Sequence, residues 1–137
     1  NVMVYKIAEI EGIGPVYSEK LKAAGINSVD NLLEKGASKT GRTSLSKETG
    51  IEEKLILKWT NHADLFRING IGPQFSELLE EAGVDTVKEL RTRNAENLYA
   101  KIKEVNDTKN LVRRLPSLDQ ITQMIEEAGK VEVRMTY

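Results

Sequence analysis

The sequence has no cysteine. Disulfides, thiolate metal sites and cysteine nucleophiles are thereby excluded. A single histidine, His62, excludes a multi-histidine metal centre. Aromatic residues make up 5% of the chain, too few for the stacking platforms that hold single-stranded nucleic acid. No apolar run approaches the ~20 residues of a membrane span. The opening NVMVYKIAEI lacks a basic stretch followed by an apolar one, so no secretory signal is expected and a cytoplasmic location is. There is no phosphate-binding Walker loop. Gly12-x-Gly14 lacks the third glycine of a dinucleotide fingerprint, and no Ser/His/Asp spacing supports a nucleophile. The expectation is a chain that is not an enzyme, with no cofactor, metal, small-molecule substrate or membrane partner.

Charge of one sign is also missing. Twenty basic residues stand against 21 acidic ones, for a net charge of −1. What is present is enough apolar material for a core: 39% of 137 residues are hydrophobic and 30% are charged. That balance belongs to a folded chain, as one domain or two very small ones.

An internal repeat dominates the sequence. Residues 10–38 align without a gap on residues 68–96, and thirteen of the 29 positions are identical. The shared residues include Gly12/Gly70, Ile13/Ile71, Gly14/Gly72, Pro15/Pro73, Ser18/Ser76, Leu21/Leu79 and Gly25/Gly83. Each copy therefore encodes the same local structure. Gly-Ile-Gly-Pro reads as a tight hairpin. Its glycines take backbone angles other residues resist, its isoleucine turns inward, and its proline suits the first turn of a helix. Helices are expected over Tyr17–Ala24 and Phe75–Ala82, ending at Gly25 and Gly83. Ser28 and Thr86 read as N-caps of a following helix.

Elsewhere, Gly41–Thr49 and Glu52–Ala63 read as helices divided by Gly50. Helical spacing continues over Ala95–Val105 and Thr108–Leu115. Pro116 breaks it, and Ser117 caps a last helix with Leu118, Ile121, Met124, Ile125 and Ala128 on one face. Trp59 and His62 read as packed residues of the helix before the second hairpin. Alternation at Val2–Tyr5 and Lys130–Tyr137 suggests that the two termini pair as a short ribbon. Leu45–Trp59 also resembles a helix-turn-helix, although Glu52 and Glu53 would open its recognition helix; two helices packed at a glycine turn are expected instead.

Ile7-x-x-Ile10-x-Gly12-Ile13-Gly14-x-x-x-Ser18-x-x-Leu21 resembles the helix-hairpin-helix motif, as does Leu65-x-x-Ile68-x-Gly70-Ile71-Gly72-x-x-x-Ser76-x-x-Leu79. AGINSVDNLL and AGVDTVKEL extend the likeness to the helical domains that carry this motif in repair proteins and in the RNA polymerase alpha subunit. Gly41-Arg42, Thr49-Gly50-Ile51, Trp59, Ala63-Asp64-Leu65 and Leu115-Pro116-Ser117-Leu118 extend it further. Across nearly its whole length, the chain resembles a bacterial family of small tandem helix-hairpin-helix proteins described as a domain of unknown function.

The resemblance implies an all-α fold of duplicated helix-hairpin-helix units, a SAM-domain-like helical bundle. The first unit with a two-helix insert would span 1–66 and the second with its C-terminal helices 67–137, in one compact body. It also implies double-stranded DNA binding without sequence reading, since backbone amides of a hairpin and its helix can cradle a phosphate. The residues implied are Gly12, Ile13, Gly14, Gly70, Ile71 and Gly72 through main chain, with Lys20 and Lys22 adding charge. The partner would be the phosphate backbone of duplex DNA. The open alternative is another protein, with the hairpins retained as scaffold.

Family members that hold DNA often carry a basic residue two places after the second glycine, where this chain has Val16 and Gln74. Glu11 lies in the first hairpin, and Glu77, Glu80 and Glu81 follow the second. Carboxylates there oppose the electrostatic attraction that dominates phosphate binding. Charge is uneven along the chain: residues 63–90 carry −4 and residues 91–115 carry +4. Any phosphate contact is therefore expected first at Gly12–Gly14.

Overall fold

A computed structural model describes residues 5–137. A short 3-10 turn, Ile7–Glu9, precedes eight α-helices. These are α1 (Pro15–Ala23), α2 (Val29–Gly36), α3 (Lys39–Thr49), α4 (Glu53–Leu65), α5 (Pro73–Glu81), α6 (Val87–Leu90), α7 (Ala95–Lys109) and α8 (Leu118–Lys130). The fold is all-α. Among the described residues no strand forms, and the one isolated bridge pairs Lys6 with Ser28.

Helix boundaries follow local chemistry. Proline opens both α1 and α5, two residues earlier than the apolar spacing alone suggests. Both helices end in the same two-bond cap. The Gly25 and Gly83 amides donate to Lys22 O and Glu80 O at 3.0 Å, and those of Ile26 and Val84 donate to Leu21 O and Leu79 O at 2.9 and 2.8 Å. The hydroxyls of Ser28, Thr86 and Ser117 accept from Asn31, Glu89 and Gln120 amides, as N-caps should.

The chain divides into two units, Asn1–Asp64 with Arg134–Tyr137, and Leu65–Val133. In the first unit, α2 and α1 both pack on α3. Its fully buried residues include Ile10, Leu21, Ile26, Leu32, Ile56 and Trp59. Burying each such side chain contributes about 1.5–3 kcal/mol. The Trp59 ring packs on Tyr17 with centroids 5.1 Å apart. Gly41 permits a very close approach: a Cβ there would lie 1.8 Å from the Lys35 carbonyl oxygen.

Arg42 secures this unit. Its guanidinium donates to Gly36 O at 2.8 Å, Ala37 O at 3.1 Å and Thr136 O at 2.7 Å. It also lies 5.5 Å from the centre of the Tyr137 ring. The Thr136 amide donates to Ala37 O at 2.8 Å, and Met135 is buried. The C-terminal segment is thus pinned to the end of α2.

That arrangement corrects the expected terminal ribbon. Its C-terminal half forms no strand, because the main-chain groups of Thr136 pair with Ala37 and Arg42. Of its N-terminal half, Val2–Val4 lie outside the described residues, and Tyr5 O accepts from the Val29 amide.

In the second unit, α8 packs against α6 and α7, and α7 against α5. The core gathers Ile68, Ile71, Leu78, Leu79, Val84, Val87, Ile102, Ile121 and Ala128. The expected helix Thr108–Leu115 does not form. Asn110 takes a left-handed φ of 51° and ends α7, a conformation asparagine tolerates better than most residues. Asn106 then holds the following loop, its Oδ1 accepting from the Leu111 and Val112 amides and its Nδ2 donating to Val112 O.

Candidate nucleic-acid interface

Each repeat presents a Gly-Ile-Gly turn at the start of a helix. In the first, the Ile13 amide donates to Ile10 O at 3.1 Å; in the second, the Ile71 amide donates to Ile68 O at 3.1 Å. The first glycines carry left-handed φ values, 90° at Gly12 and 91° at Gly70. A side chain at either position would strain the turn. The isoleucines Ile10, Ile13, Ile68 and Ile71 are all buried, so both turns are anchored from within.

Gly14 and Gly72 are the extended N-caps of α1 and α5, and neither helix has a side-chain cap. The first intrahelical bonds run from Ser18 to Gly14 O and from Ser76 to Gly72 O, both at 2.9 Å. Ahead of them stand the amides of Val16 and Tyr17 in one repeat and of Gln74 and Phe75 in the other. Amides in this position point along the helix axis and suit an anion. Gly14 is exposed, with nothing within 4 Å of where a Cβ would stand.

The model of a family described as a domain of unknown function, DUF4332, matches residues 11–131, a span that includes Gly12–Gly14 and Gly70–Gly72. The chain belongs to this family. No curated protein and no solved structure matches it.

The two turns of this DUF4332 chain differ in what surrounds them. In the second, the Asn69 amide donates to Glu127 Oε1 on α8 at 3.0 Å. A Cβ at Gly70 would lie 3.1 Å from the Met124 methyl, also on α8. A cavity of about 250 Å³ opens there, lined by Asn69, Gly70, Pro116, Gln120, Gln123, Met124 and Glu127. In the first turn the nearest atom to a Gly12 Cβ is Trp59 Nε1, at an ordinary 3.6 Å.

Lys20 and Lys22 are exposed in the last turn of α1. Gly14 lies at the opposite end, so Lys22 is roughly 12 Å from it along the helix axis. The acidic residues after the second turn are not equivalent. Glu77 stands one turn along α5 from Pro73, on the same strip of helix. Glu81 pairs with Lys109 at 3.6 Å.

Much of the basic charge is committed to structure. Arg91 donates to Ala128 O and Val131 O at the end of α8. Arg93 donates to Gly83 O at 2.8 Å and to Glu89 at 3.0 Å. Arg67 donates to Glu132 O at 2.6 Å. Lys39 pairs with Glu53 at 3.5 Å, and Thr43 also donates to that carboxylate. The Thr43 hydroxyl, together with Lys39, holds the Glu53 carboxyl below its ordinary range. Burial lowers the Arg42 pKa.

Arg42 and Arg91 were legible in the sequence only as charge. Their carbonyl-capping roles had no signal, since Arg42 falls inside the expected helix Gly41–Thr49 and Arg91 reaches carbonyls 37 and 40 residues away. The Glu127–Asn69 contact joins positions with no local relationship and had none. Among the described residues there is no group of three or more metal-ligating side chains and no helix long and apolar enough to cross a membrane.

Proposed function

We propose that the chain binds double-stranded DNA without sequence preference and without catalysing a reaction, and that the first turn makes the phosphate contact. On this reading each repeat is a helix-hairpin-helix unit. The observation that carries it is the bare start of α1: an exposed glycine N-cap, no side-chain cap, and two amides ahead of the first helical bond. A phosphate oxygen accepts from such amides at close range and gains from the helix dipole. Lys20 and Lys22 then meet neighbouring phosphates rather than the one at the turn, given their distance along α1.

This interface is small and its electrostatic share modest. Two lysines neutralising two phosphates give a slope of log K against log salt of about −1.8. Titration of a fluorescent duplex followed by anisotropy tests the reading. Binding at low salt with that shallow slope is expected, and charge reversal in the Lys20→Glu, Lys22→Glu double variant should abolish it. No binding at low salt, or binding indifferent to the two lysines, would overturn it.

One observation favours a second reading, docking to another protein. Val16, two residues past Gly14, is 68% exposed, so this turn presents an apolar side chain where phosphate contact favours a basic one. On that reading the same titration shows no binding, and a partner or self-association accounts for the exposed face.

A further inference from the structure

We infer that Glu127 is an autoinhibitory carboxylate that closes the second turn to anions, so that the duplicated chain engages duplex DNA through one repeat only. The inference rests on the reading of the first turn as a phosphate contact and concerns why its twin does not share that role.

The two turns share left-handed first glycines, the same turn hydrogen bonds and extended glycine N-caps, whose φ is −88° at Gly14 and −113° at Gly72. Their surroundings differ more. At the second turn, Glu127 Oε1 accepts from the Asn69 amide at 3.0 Å. An internal carboxylate thus already uses one outward amide. Gly72 is three residues from Asn69, so this N-cap lies within about 11 Å of the residue whose amide holds the charge, by chain reach. That is comparable to a screening length of about 10 Å at moderate salt. Glu77 adds a second negative charge on the strip of α5 that begins at Pro73. At the first turn the residue matching Asn69 is Glu11, which brings a carboxylate of its own, but among the described residues no side chain accepts from its amide. The residue matching Glu77 is Glu19, but Lys20 and Lys22 share its helix, and their counterparts are Leu78 and Glu80.

A unit charge at this range reduces anion affinity by on the order of threefold, and two charges by roughly tenfold. The contact is also structural, since Glu127 ties α8 to the turn. Glu127→Gln keeps an acceptor for the Asn69 amide while removing the charge, and Glu127→Ala removes both.

The test uses the isotope-labelled full chain, followed residue by residue through its amide signals. Inorganic phosphate and then a short duplex serve as probes. In the wild type, phosphate should move the Gly14, Val16 and Tyr17 signals and leave Gly70, Gly72, Gln74 and Phe75 in place. In Glu127→Gln the second set should respond, with affinity raised on the order of threefold, and in the Glu77→Gln, Glu127→Gln double variant roughly tenfold. Glu127→Ala gives the same sign if Gln perturbs the turn. The inference is overturned if the second turn responds in the wild type as strongly as the first, or stays silent in all three variants. Failure of the first turn to respond to duplex would end the DNA reading instead, while phosphate at the second turn would still decide the role of Glu127.

Discussion

The main-chain amide of Asn69 is bonded to the carboxylate of Glu127 across 58 residues of sequence, at 3.0 Å. Its repeat partner Glu11 shows no such contact with any described side chain. A duplication that preserved the left-handed glycines, φ 90° at Gly12 and 91° at Gly70, has thus given its two turns different electrostatic surroundings. Several consequences can be measured.

The first glycines of the two turns, Gly12 and Gly70, should resist substitution unequally. Gly12→Ala forces a left-handed φ on alanine, a cost of about 1–2 kcal/mol, with ordinary space around the new methyl. Gly70→Ala bears the same backbone cost and also presses on the Met124 methyl at 3.1 Å. Urea denaturation should rank Gly70→Ala as the less stable of the two. A Gly12→Ala variant as stable as the wild type would contradict the turn geometry.

Arg42 should behave as a structural residue, not a surface charge. Arg42→Met leaves the carbonyls of Gly36, Ala37 and Thr136 without their donor. The expected loss is about 3 kcal/mol, in the range for buried bonds to a charged group. Arg42→Lys should recover only part of it, because an ammonium cannot reproduce the planar fork. A loss below about 0.5 kcal/mol, typical of an exposed position, would refute the role given to Arg42.

Asp85 gives the fold a defined pH response. Burial, with Glu89 and Glu80 nearby, pushes its carboxyl above the ordinary range. The folded chain therefore holds this proton more tightly than the unfolded chain. The resulting destabilisation is absent below about pH 4, where both states are protonated, and develops as pH rises through the raised value. Asp85→Asn, which installs the residue found at the matching Asn27, removes that penalty. The variant should melt higher than the wild type at neutral pH, and the gap should close in acid. A variant that melts lower at neutral pH would show that the carboxylate is stabilised by its surroundings.

The repeat, the caps and the inward isoleucines were legible because each depends on residues a few positions apart. Ser28, Thr86 and Ser117 cap as their spacing predicts, and Gly25 and Gly83 stop their helices as expected. The Thr108–Leu115 helix failed because apolar spacing does not register a left-handed asparagine, nor the bonds from Asn106 that replace helical ones. The site was legible only in its main chain. Charge totals could not show that Arg42, Arg91 and Arg93 spend their donors on carbonyls. Nothing in the sequence joins Glu127 to Asn69, because their contact spans 58 residues.

The most direct test of the proposed DNA contact is a low-salt titration of the labelled full chain with a short duplex, read at individual amides. The account predicts that the Gly14, Val16 and Tyr17 signals move together and saturably, that those of Lys20 and Lys22 follow, and that Gly72, Gln74 and Phe75 stay in place. A duplex that leaves the amides at the start of α1 unmoved would contradict it.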